Sequence, residues 1–266
     1  METGRLFLMP SKNKSIALNN SSIHLFVNGF SFYTPSRTEF TPFTRNIGDF
    51  ESALEELLNF YPKEMFSATQ IISYHQPSTF VPVKFFDKNL LKNYLQILGN
   101  IDENSGLNFD LLKEESQVNV YSYPKIILEI LNQQINNATL CHYNSLLYRE
   151  VNKLSNFSDK ESQLYIHLQK DAMDLYLTKN SYVIFQNHFG IQNKDEFLYY
   201  VFFVVEQYKL SSDQFEIVFL GKITAFKTYY QSIKEFHQII RFEDREICDK
   251  IEIDQHPAPF FAKSPE

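Results

Sequence analysis

The sequence contains no tryptophan, only two cysteines and no long run of apolar residues. The longest apolar stretch, near Tyr199–Val205, is far shorter than the roughly 20 residues that a membrane-spanning helix needs. Cys141 and Cys248 lie far apart, and no Cys-x-x-Cys or His-x-x-x-His spacing occurs, which predicts free thiols in a reducing cytoplasm and no structural zinc. The amino terminus lacks the long apolar core of a signal sequence. These absences favour a cytoplasmic protein without a membrane span.

Basic residues are in the minority. The 266 residues include 25 Lys and Arg against 32 Asp and Glu, which gives a formal net charge of −7. A field of this sign repels phosphate backbones and no basic cluster compensates for it, so nucleic acid is excluded as a partner. The chain is rich instead in aromatic side chains, with 26 Phe and 16 Tyr. We interpret these as packing between sheets and helices before any role as a stacking surface for bases or sugars.

One order of predicted elements occurs twice. Each time, three short β-like runs joined by tight turns are followed by an amphipathic helix, an apolar strand and another helix. The clearest local signal is Asn28-Gly29, which accepts positive φ in a type I′ turn and so predicts a hairpin joining Ile23–Val27 to Phe30–Tyr33. The order predicts two similar α/β lobes.

A polar and charged stretch, 156–162, separates the two halves. It predicts an amino-terminal lobe over 1–155 and a carboxyl-terminal lobe over 156–266, with an irregular acidic tail from about residue 243. The tail ends near a Phe260-Phe261 pair, which either folds back on the body or docks elsewhere.

Several elements are predicted from their patterns. A strand over 70–75 is expected to have 79–83 beside it, and 100–115 is polar enough to be loop for much of its length. A helix over roughly 195–209 is apolar on most sides and is therefore expected between layers or lobes. The continuous apolar run 215–220 is typical of a central strand covered on both faces.

The order strand–strand–strand–helix–strand–helix, used twice, resembles the duplicated ribonuclease-H-like fold of the actin, Hsp70 and sugar-kinase superfamily. More narrowly, the sequence resembles the DUF3822 family, uncharacterised Bacteroidetes proteins with an actin-like ATPase fold. The similar parts are the hairpin around Asn28-Gly29, the segment Thr79–Val83 leading into a helix after Asp87, and the strand and turn over Phe215–Gly221. The resemblance implies two lobes of mixed β-sheet flanked by helices, with a cleft between them.

In ATP-using members of that superfamily, phosphate is held by the turn between the first two strands of each lobe, which reads roughly Asp-x-Gly-(Ser/Thr). Glycine lets the backbone approach phosphate, the hydroxyl binds its oxygens, and aspartate places Mg²⁺ through water. The first lobe offers Asn28 and Gly29, with a neutral side chain and no hydroxyl directly after the glycine. The second lobe offers Lys170 and Asp171, with neither glycine nor hydroxyl following.

A pair of glycines makes room for adenosine in the second lobe of those relatives, whereas this chain has Gly221 followed by Lys222. The resemblance therefore implies nucleotide-binding candidates and no catalytic or metal-binding residue. The candidates are Asn28, Gly29, Lys170, Asp171, Gly221 and Lys222. A hairpin turn, a solvated turn and a strand-to-helix turn account for the same residues without any ligand, and both interpretations stay open.

Because all three motifs are degraded together, phosphoryl transfer would lose the positioning and charge neutralisation that supply its catalysis. The leading hypothesis is a non-catalytic binding or scaffold module with an unidentified protein partner and no cofactor. The alternative is a divergent ATPase or small-molecule kinase that uses Mg-ATP, with Asp171 for the metal and Gly221 for the nucleotide. A ribonuclease-H-type nuclease is disfavoured, because the first strands offer too few carboxylates for two metals. A cleft plugged by Phe or Tyr would favour the first hypothesis, and an open cleft the second.

Overall fold

The computed structural model describes residues 21–34, 37–42, 47–62, 66, 69–157, 160–243 and 256–261. Its strands are β1 (Ser22–Phe26), β2 (Gly29–Thr34), β3 (Arg37–Pro42), β4 (Gln70–Ser73), β5 (Ser78–Pro82), β6 (Ser105–Leu112), β7 (Gln117–Pro124), β8 (Thr139–His142), β9 (Ser162–Leu168), β10 (Ala172–Lys179), β11 (Tyr182–Gly190), β12 (Phe215–Leu220) and β13 (Ile240–Glu243). Its α-helices are α1 (Ile47–Phe60), α2 (Leu91–Gln96), α3 (Lys125–Gln134), α4 (Tyr143–Ser155), α5 (Lys194–Gln207) and α6 (Lys227–Lys234).

The two five-stranded sheets have the same topology. One runs β3-β2-β1-β4-β8 and the other β11-β10-β9-β12-β13. In each, the first three strands are antiparallel neighbours, and the last two pair in parallel with the strands beside them. The repeated element order therefore gives the same mixed sheet twice, and the predicted fold class, an α/β protein of two lobes, is confirmed.

The opening hairpin is present, but its turn is shifted by one residue from the prediction. Phe26 pairs with Gly29, so the loop residues are Val27 and Asn28, and Gly29 opens β2. The prediction of positive φ at Asn28 and Gly29 is wrong. Among the described glycines, positive φ occurs at Gly99 and Gly221. Gly29 is required by close approach instead, because a Cβ atom there would overlap the ring of Phe40 and lie 2.7 Å from the backbone oxygen of Thr41.

A third sheet, β5-β7-β6, is inserted between β4 and β8. The prediction that 79–83 pairs beside the strand at 70–75 is wrong, since β5 pairs with β7 in this separate sheet. The prediction of loop over much of 100–115 is also wrong, since β6 lies within it. Its polar residues Asn108 and Asp110 alternate with apolar neighbours, and their polarity favoured the prediction of a loop. The carboxylate of Asp110 accepts hydrogen bonds within the protein.

Helix α4 lies between the lobes. One hydrophobic cluster runs from Phe26 and Tyr74 of the first lobe, through Leu147 of α4, to the residues of β9, β10 and β12. A second cluster packs α1 and α3 against the other face of the first sheet. The interface between the lobes is therefore part of the core.

Helix α5 lies on the outside of the second sheet, so its predicted place between layers or lobes is wrong. Phe197, Val201 and Val204 are buried, whereas Tyr199 is 63% and Phe203 48% exposed. No helix within the described ranges is long and apolar enough to cross a membrane. The predicted acidic tail, 244–255, and Cys248 lie outside the described residues, but 256–261 is described and its side chains from His256 to Phe260 are largely buried.

Candidate functional site

The tripeptide Ile-His-Leu occurs in β1 and again in β9, the equivalent strands of the two sheets. Strand alternation sends the isoleucine and leucine to one face and the histidine to the other. His24 and His167 are both fully buried. Opposite them in the neighbouring strands stand Ser31 and Asp174. The duplicated strands thus place imidazoles in the interior of the molecule, on the cleft side of each sheet.

Asp174 is the centre of the second-lobe cluster. Its Oδ2 accepts from Nδ1 of His167 at 2.8 Å and from Nε2 of Gln169 at 2.9 Å. Its Oδ1 accepts from Nδ1 of His188 at 2.8 Å and from the hydroxyl of Tyr143 at 2.9 Å. Burial alone would raise the pKa of Asp174, but the charge of His188 and the hydrogen bonds from both histidines hold it well below its usual range. In turn, Asp174 outweighs burial and raises the pKa of His188.

Tyr143 carries this cluster across to the first lobe. It opens α4, and its ring stacks on Tyr74 with centroids 4.6 Å apart and planes 4° from parallel. Its hydroxyl donates to Asp174 and accepts from Nε2 of Gln76 at 3.1 Å. Since Tyr74 and Gln76 follow directly after β4, the buried carboxylate of one lobe is bonded to the other lobe through a single side chain.

A pair of neutral imidazoles forms the first-lobe side of the site. Nε2 of His256 lies 3.0 Å from Nδ1 of His24, and Nε2 of His24 lies 2.9 Å from Oγ of Ser22. The amide of Ala258 donates to Nδ1 of His256, so that nitrogen carries no proton and Nε2 donates to His24. Burial lowers the pKa of His24 to about 3, and lowers that of His256 well below its ordinary value. The ring of His256 also meets the edge of Phe26, at 5.1 Å between centroids.

Residues 256–261, here called the carboxyl-terminal segment, pass the nucleotide-binding candidates of the second lobe. The oxygen of Pro257 accepts from the amide of Lys170 at 2.9 Å, in the turn between β9 and β10. Phe260, which is 1% exposed, lies 3.6 Å from the position that a Cβ atom would take on Gly221. The sequence left open whether Phe260 folds back on the protein or docks elsewhere, and Phe260 is folded back and buried.

The candidate residues themselves are mostly at the surface. Asn28 is exposed in the loop after β1, and Lys170 and Asp171 are exposed in the corresponding turn of the second lobe. Gly221 is buried after β12 with φ of +87°, a conformation that L side chains rarely adopt, and Lys222 beside it is exposed. Lys170 and Gly221 are brought together by their contacts with the carboxyl-terminal segment.

A second carboxylate, which is half-buried, ties the inserted sheet to the first lobe. Asp110 of β6 accepts from the hydroxyl of Tyr121 at 3.0 Å, the amide of His142 at 2.8 Å and Oγ of Ser145 at 2.5 Å. Burial raises its pKa, partly offset by these hydrogen bonds. Within the described residues, no group of three or more His, Cys, Asp or Glu side chains could hold a metal ion.

A groove of about 780 Å³ lies elsewhere, between α1 and α3 on the outer face of the first lobe. Its lining includes Glu51, Glu55, Asn59, Gln133 and Gln134, and none of the nucleotide-binding candidates. The groove is therefore separate from the cleft.

The histidine and aspartate cluster was not predicted, although the sequence carries a signal for it. The repeated Ile-His-Leu marks the same buried position in both lobes, and each occurrence precedes a polar residue seven positions on, Ser31 or Asp174. His188 lies outside the repeat and joins the cluster through its bond to Asp174.

Two solved structures are similar to the chain. A crystal structure from Bacteroides thetaiotaomicron, of a protein with actin-like ATPase fold and unknown function, shares 19% identity at a TM-score of 0.69 and covers 84% of this chain and 89% of that chain. A chain of the PilM-PilN type IV pilus biogenesis complex shares 10% identity at a TM-score of 0.53, covering 92% of this chain and 96% of that one. These likenesses establish an actin-like ATPase fold. No curated protein matches the sequence.

A family described as a protein of unknown function, DUF3822, matches residues 22–240. The matched region takes in the first five-stranded sheet, the inserted sheet, strands β9–β12 of the second sheet and the buried cluster around Asp174. The chain belongs to the DUF3822 family.

Proposed function

We propose that this protein is a non-catalytic member of the actin-like fold that acts by binding another protein. One observation carries the proposal: the carboxyl-terminal segment fills the cleft beside the residues that would hold a nucleotide. Phe260 occupies the space next to Gly221, where the superfamily holds adenosine. The amide of Lys170, a donor of the kind that phosphate needs, is already bonded to Pro257.

The charges of the cleft support the same conclusion. Phosphate binding depends on cationic side chains or free backbone amides. His24 and His256 are neutral, and the charge that His188 carries is matched by Asp174 at 2.8 Å. Asp171 is exposed at the edge of the cleft, in a turn that lacks the glycine and hydroxyl of an ATP-binding turn. The buried polar groups of the cleft thus bond to one another, His24 to His256 and His188 to Asp174.

Two features support a protein partner. The PilM-PilN structure, which resembles this chain in fold, is a complex of proteins. The outer face of the second lobe also exposes large aromatic side chains, with Tyr199 at 63%, Phe203 at 48% and Phe236 at 60%. Exposed apolar patches of this kind mark surfaces at which proteins associate.

We further propose that the protein is a pseudoenzyme, that it is cytoplasmic and that it comes from the Bacteroidetes. The free thiol of Cys141 suits a reducing compartment, and the similar structure from Bacteroides thetaiotaomicron suits that source. We also propose that residues 1–155 and 156–266 form the two lobes, since the strands of the first sheet precede residue 156 and those of the second follow it.

A thermal-shift titration with Mg-ATP and Mg-ADP tests the proposal. A nucleotide present at about a hundred times its Kd would add roughly 2.7 kcal/mol of stability. At this chain length each kcal/mol raises the melting temperature by about 2–4 °C, so the expected rise is about 5–10 °C. We expect no saturable shift at millimolar nucleotide.

The alternative, a divergent ATPase or kinase, predicts the opposite result. A saturable shift that disappears in Asp171→Ala would overturn the proposal, provided that it persists in the control variant Asp213→Ala. Asp213 is an exposed aspartate in the loop before β12, away from the turn that carries Asp171. The control therefore removes one carboxylate without touching the candidate site.

A further inference from the structure

We propose that the cleft between the lobes is a peptide-binding site for an extended segment of another protein that carries a histidine and an aromatic ring separated by prolines. The carboxyl-terminal segment, His-Pro-Ala-Pro-Phe-Phe, is its resident ligand. This inference rests on the proposed function and specifies its partner by the chemistry of the groups that the cleft already contacts.

The histidine of the ligand is recognised by another imidazole. His256 donates to His24 at 3.0 Å and packs edge-on against the same ring, with centroids 4.9 Å apart. Aromatic rings of Phe26 and Tyr74 close two further sides, at 5.1 Å and 6.2 Å between centroids. Because His256 is fully buried among a neutral histidine and two apolar rings, the pocket selects an uncharged imidazole over a lysine or arginine side chain.

The backbone and the aromatic ring of the ligand are recognised on the second lobe. The oxygen of Pro257 takes the amide of Lys170, which fixes the register of the segment. Phe260 enters the space above Gly221 and lies 5.9 Å from the ring of His167. Glycine is needed at position 221 for its φ of +87°, and a Cβ atom there would be in ordinary van der Waals contact with Phe260, at 3.6 Å.

The prolines lower the cost of binding. Pro257 and Pro259 restrict φ at two of the six positions, so less backbone entropy is lost when the segment is ordered in the cleft. Ala258 between them is fully buried and leaves no space for a larger side chain without rearrangement. The pattern that the cleft reads is therefore His-Pro-small-Pro-aromatic.

The resident segment competes with any partner because it is tethered. Residues 244–255 join it to the end of β13. A linker of about this length gives an effective concentration in the millimolar range. A partner segment enters the cleft only when the resident segment is released. Without a partner, the cleft is occupied by residues 256–261.

Fluorescence anisotropy with a labelled synthetic peptide of residues 256–266 tests the inference on the full chain. The double variant H256A/F260A weakens the resident segment and leaves the pockets intact. We expect it to bind the peptide saturably and at least about tenfold more tightly than the unaltered protein, whose site is filled. A peptide carrying both alanine changes should not compete. Phe85→Ala, which alters an exposed ring shortly after β5 and outside the cleft, should behave like the unaltered protein.

The outcomes separate this inference from the proposed function. Circular dichroism checks the fold of each variant, and F260A alone carries the test if the double variant is unfolded. Absence of saturable binding to a folded variant overturns the inference, whereas the proposed function fails only if nucleotide binds. A mixed dimer of unaltered and variant protein in size-exclusion chromatography would also overturn it, because the occupant would then be a second copy of this chain.

Discussion

Replacement of Asp174 by alanine should lower the free energy of unfolding by about 3–5 kcal/mol, the cost of removing one partner from a buried ion pair. The carboxylate is fully buried and accepts hydrogen bonds from His167, Gln169, His188 and Tyr143. Its removal leaves these donors unsatisfied, and it leaves the charge on His188 without its counter-ion. The same change cuts the bond that joins Tyr143 to the second lobe, so both lobes should be affected.

Urea unfolding followed by circular dichroism measures this effect. Asp213→Ala is the matched control, since an exposed aspartate without such bonds should alter stability by no more than about 0.5 kcal/mol. A loss of less than about 1 kcal/mol for Asp174→Ala would contradict the account of Asp174 as the buried charge on which the interface depends.

Acidification should destabilise the protein steeply between about pH 6.5 and pH 4. Burial lowers the pKa of His24 and of His142 to about 3, and that of His75 to about 4, from an ordinary value of 6.5. Below pH 6.5 the unfolded chain therefore binds protons that the folded chain does not, so stability is complete above pH 6.5 and is lost as the pH falls toward the folded pKa. His24 and His142 alone should cost about 3 kcal/mol per pH unit in this window.

Other groups do not reverse this trend. The pKa of Asp174 is held well below 3.8, so its contribution is retained down to that pH. The raised pKa of His188 adds stability as the pH falls toward 6.5, and below 6.5 both the folded and the unfolded chain carry its proton, so it does not change the slope in this window. The slope is set by His24, His75 and His142, and His256 adds to it.

Urea midpoints at pH 7.5, 6 and 5 measure the slope. His24→Gln removes one titrating group from the same buried position, so its slope should be shallower by about 1.4 kcal/mol per pH unit, whatever its stability at neutral pH. Equal stability of the unaltered protein at pH 7.5 and pH 5 would contradict the neutral state of these imidazoles.

The fold could be predicted because its signals are local. The apolar stripe of α1, the apolar run of β12 and the three strands β9–β11 each lie within a few residues of sequence, and their order gives the sheet topology. The errors have local causes as well. Strand β6 was hidden by polar residues such as Asp110, whose carboxylate is satisfied inside the protein. The hairpin loop shifted because Gly29 is needed for contact with Phe40 and not for positive φ.

The buried cluster could not be predicted from local sequence patterns, because its residues are distant in sequence. His24 and His256 are 232 positions apart, and neither lies in a spacing typical of a ligand set. The pair Phe260-Phe261 is predicted either to fold back or to dock elsewhere, but nothing in the sequence indicates that Phe260 reaches Gly221. Lys170 and Gly221 are candidates for binding a nucleotide, and the structure places residues 256–261 against both of them.

Hydrogen exchange of the carboxyl-terminal segment, read by mass spectrometry at pH 7 with and without millimolar Mg-ATP, tests the central claim most directly. If the segment fills the cleft, the amides of Ala258 and Phe260 should exchange at least about tenfold more slowly than in the free synthetic peptide, and Mg-ATP should leave this protection unchanged. Exchange at the rate of the free peptide, or protection lost on addition of Mg-ATP, would contradict the account and favour an open, nucleotide-binding cleft.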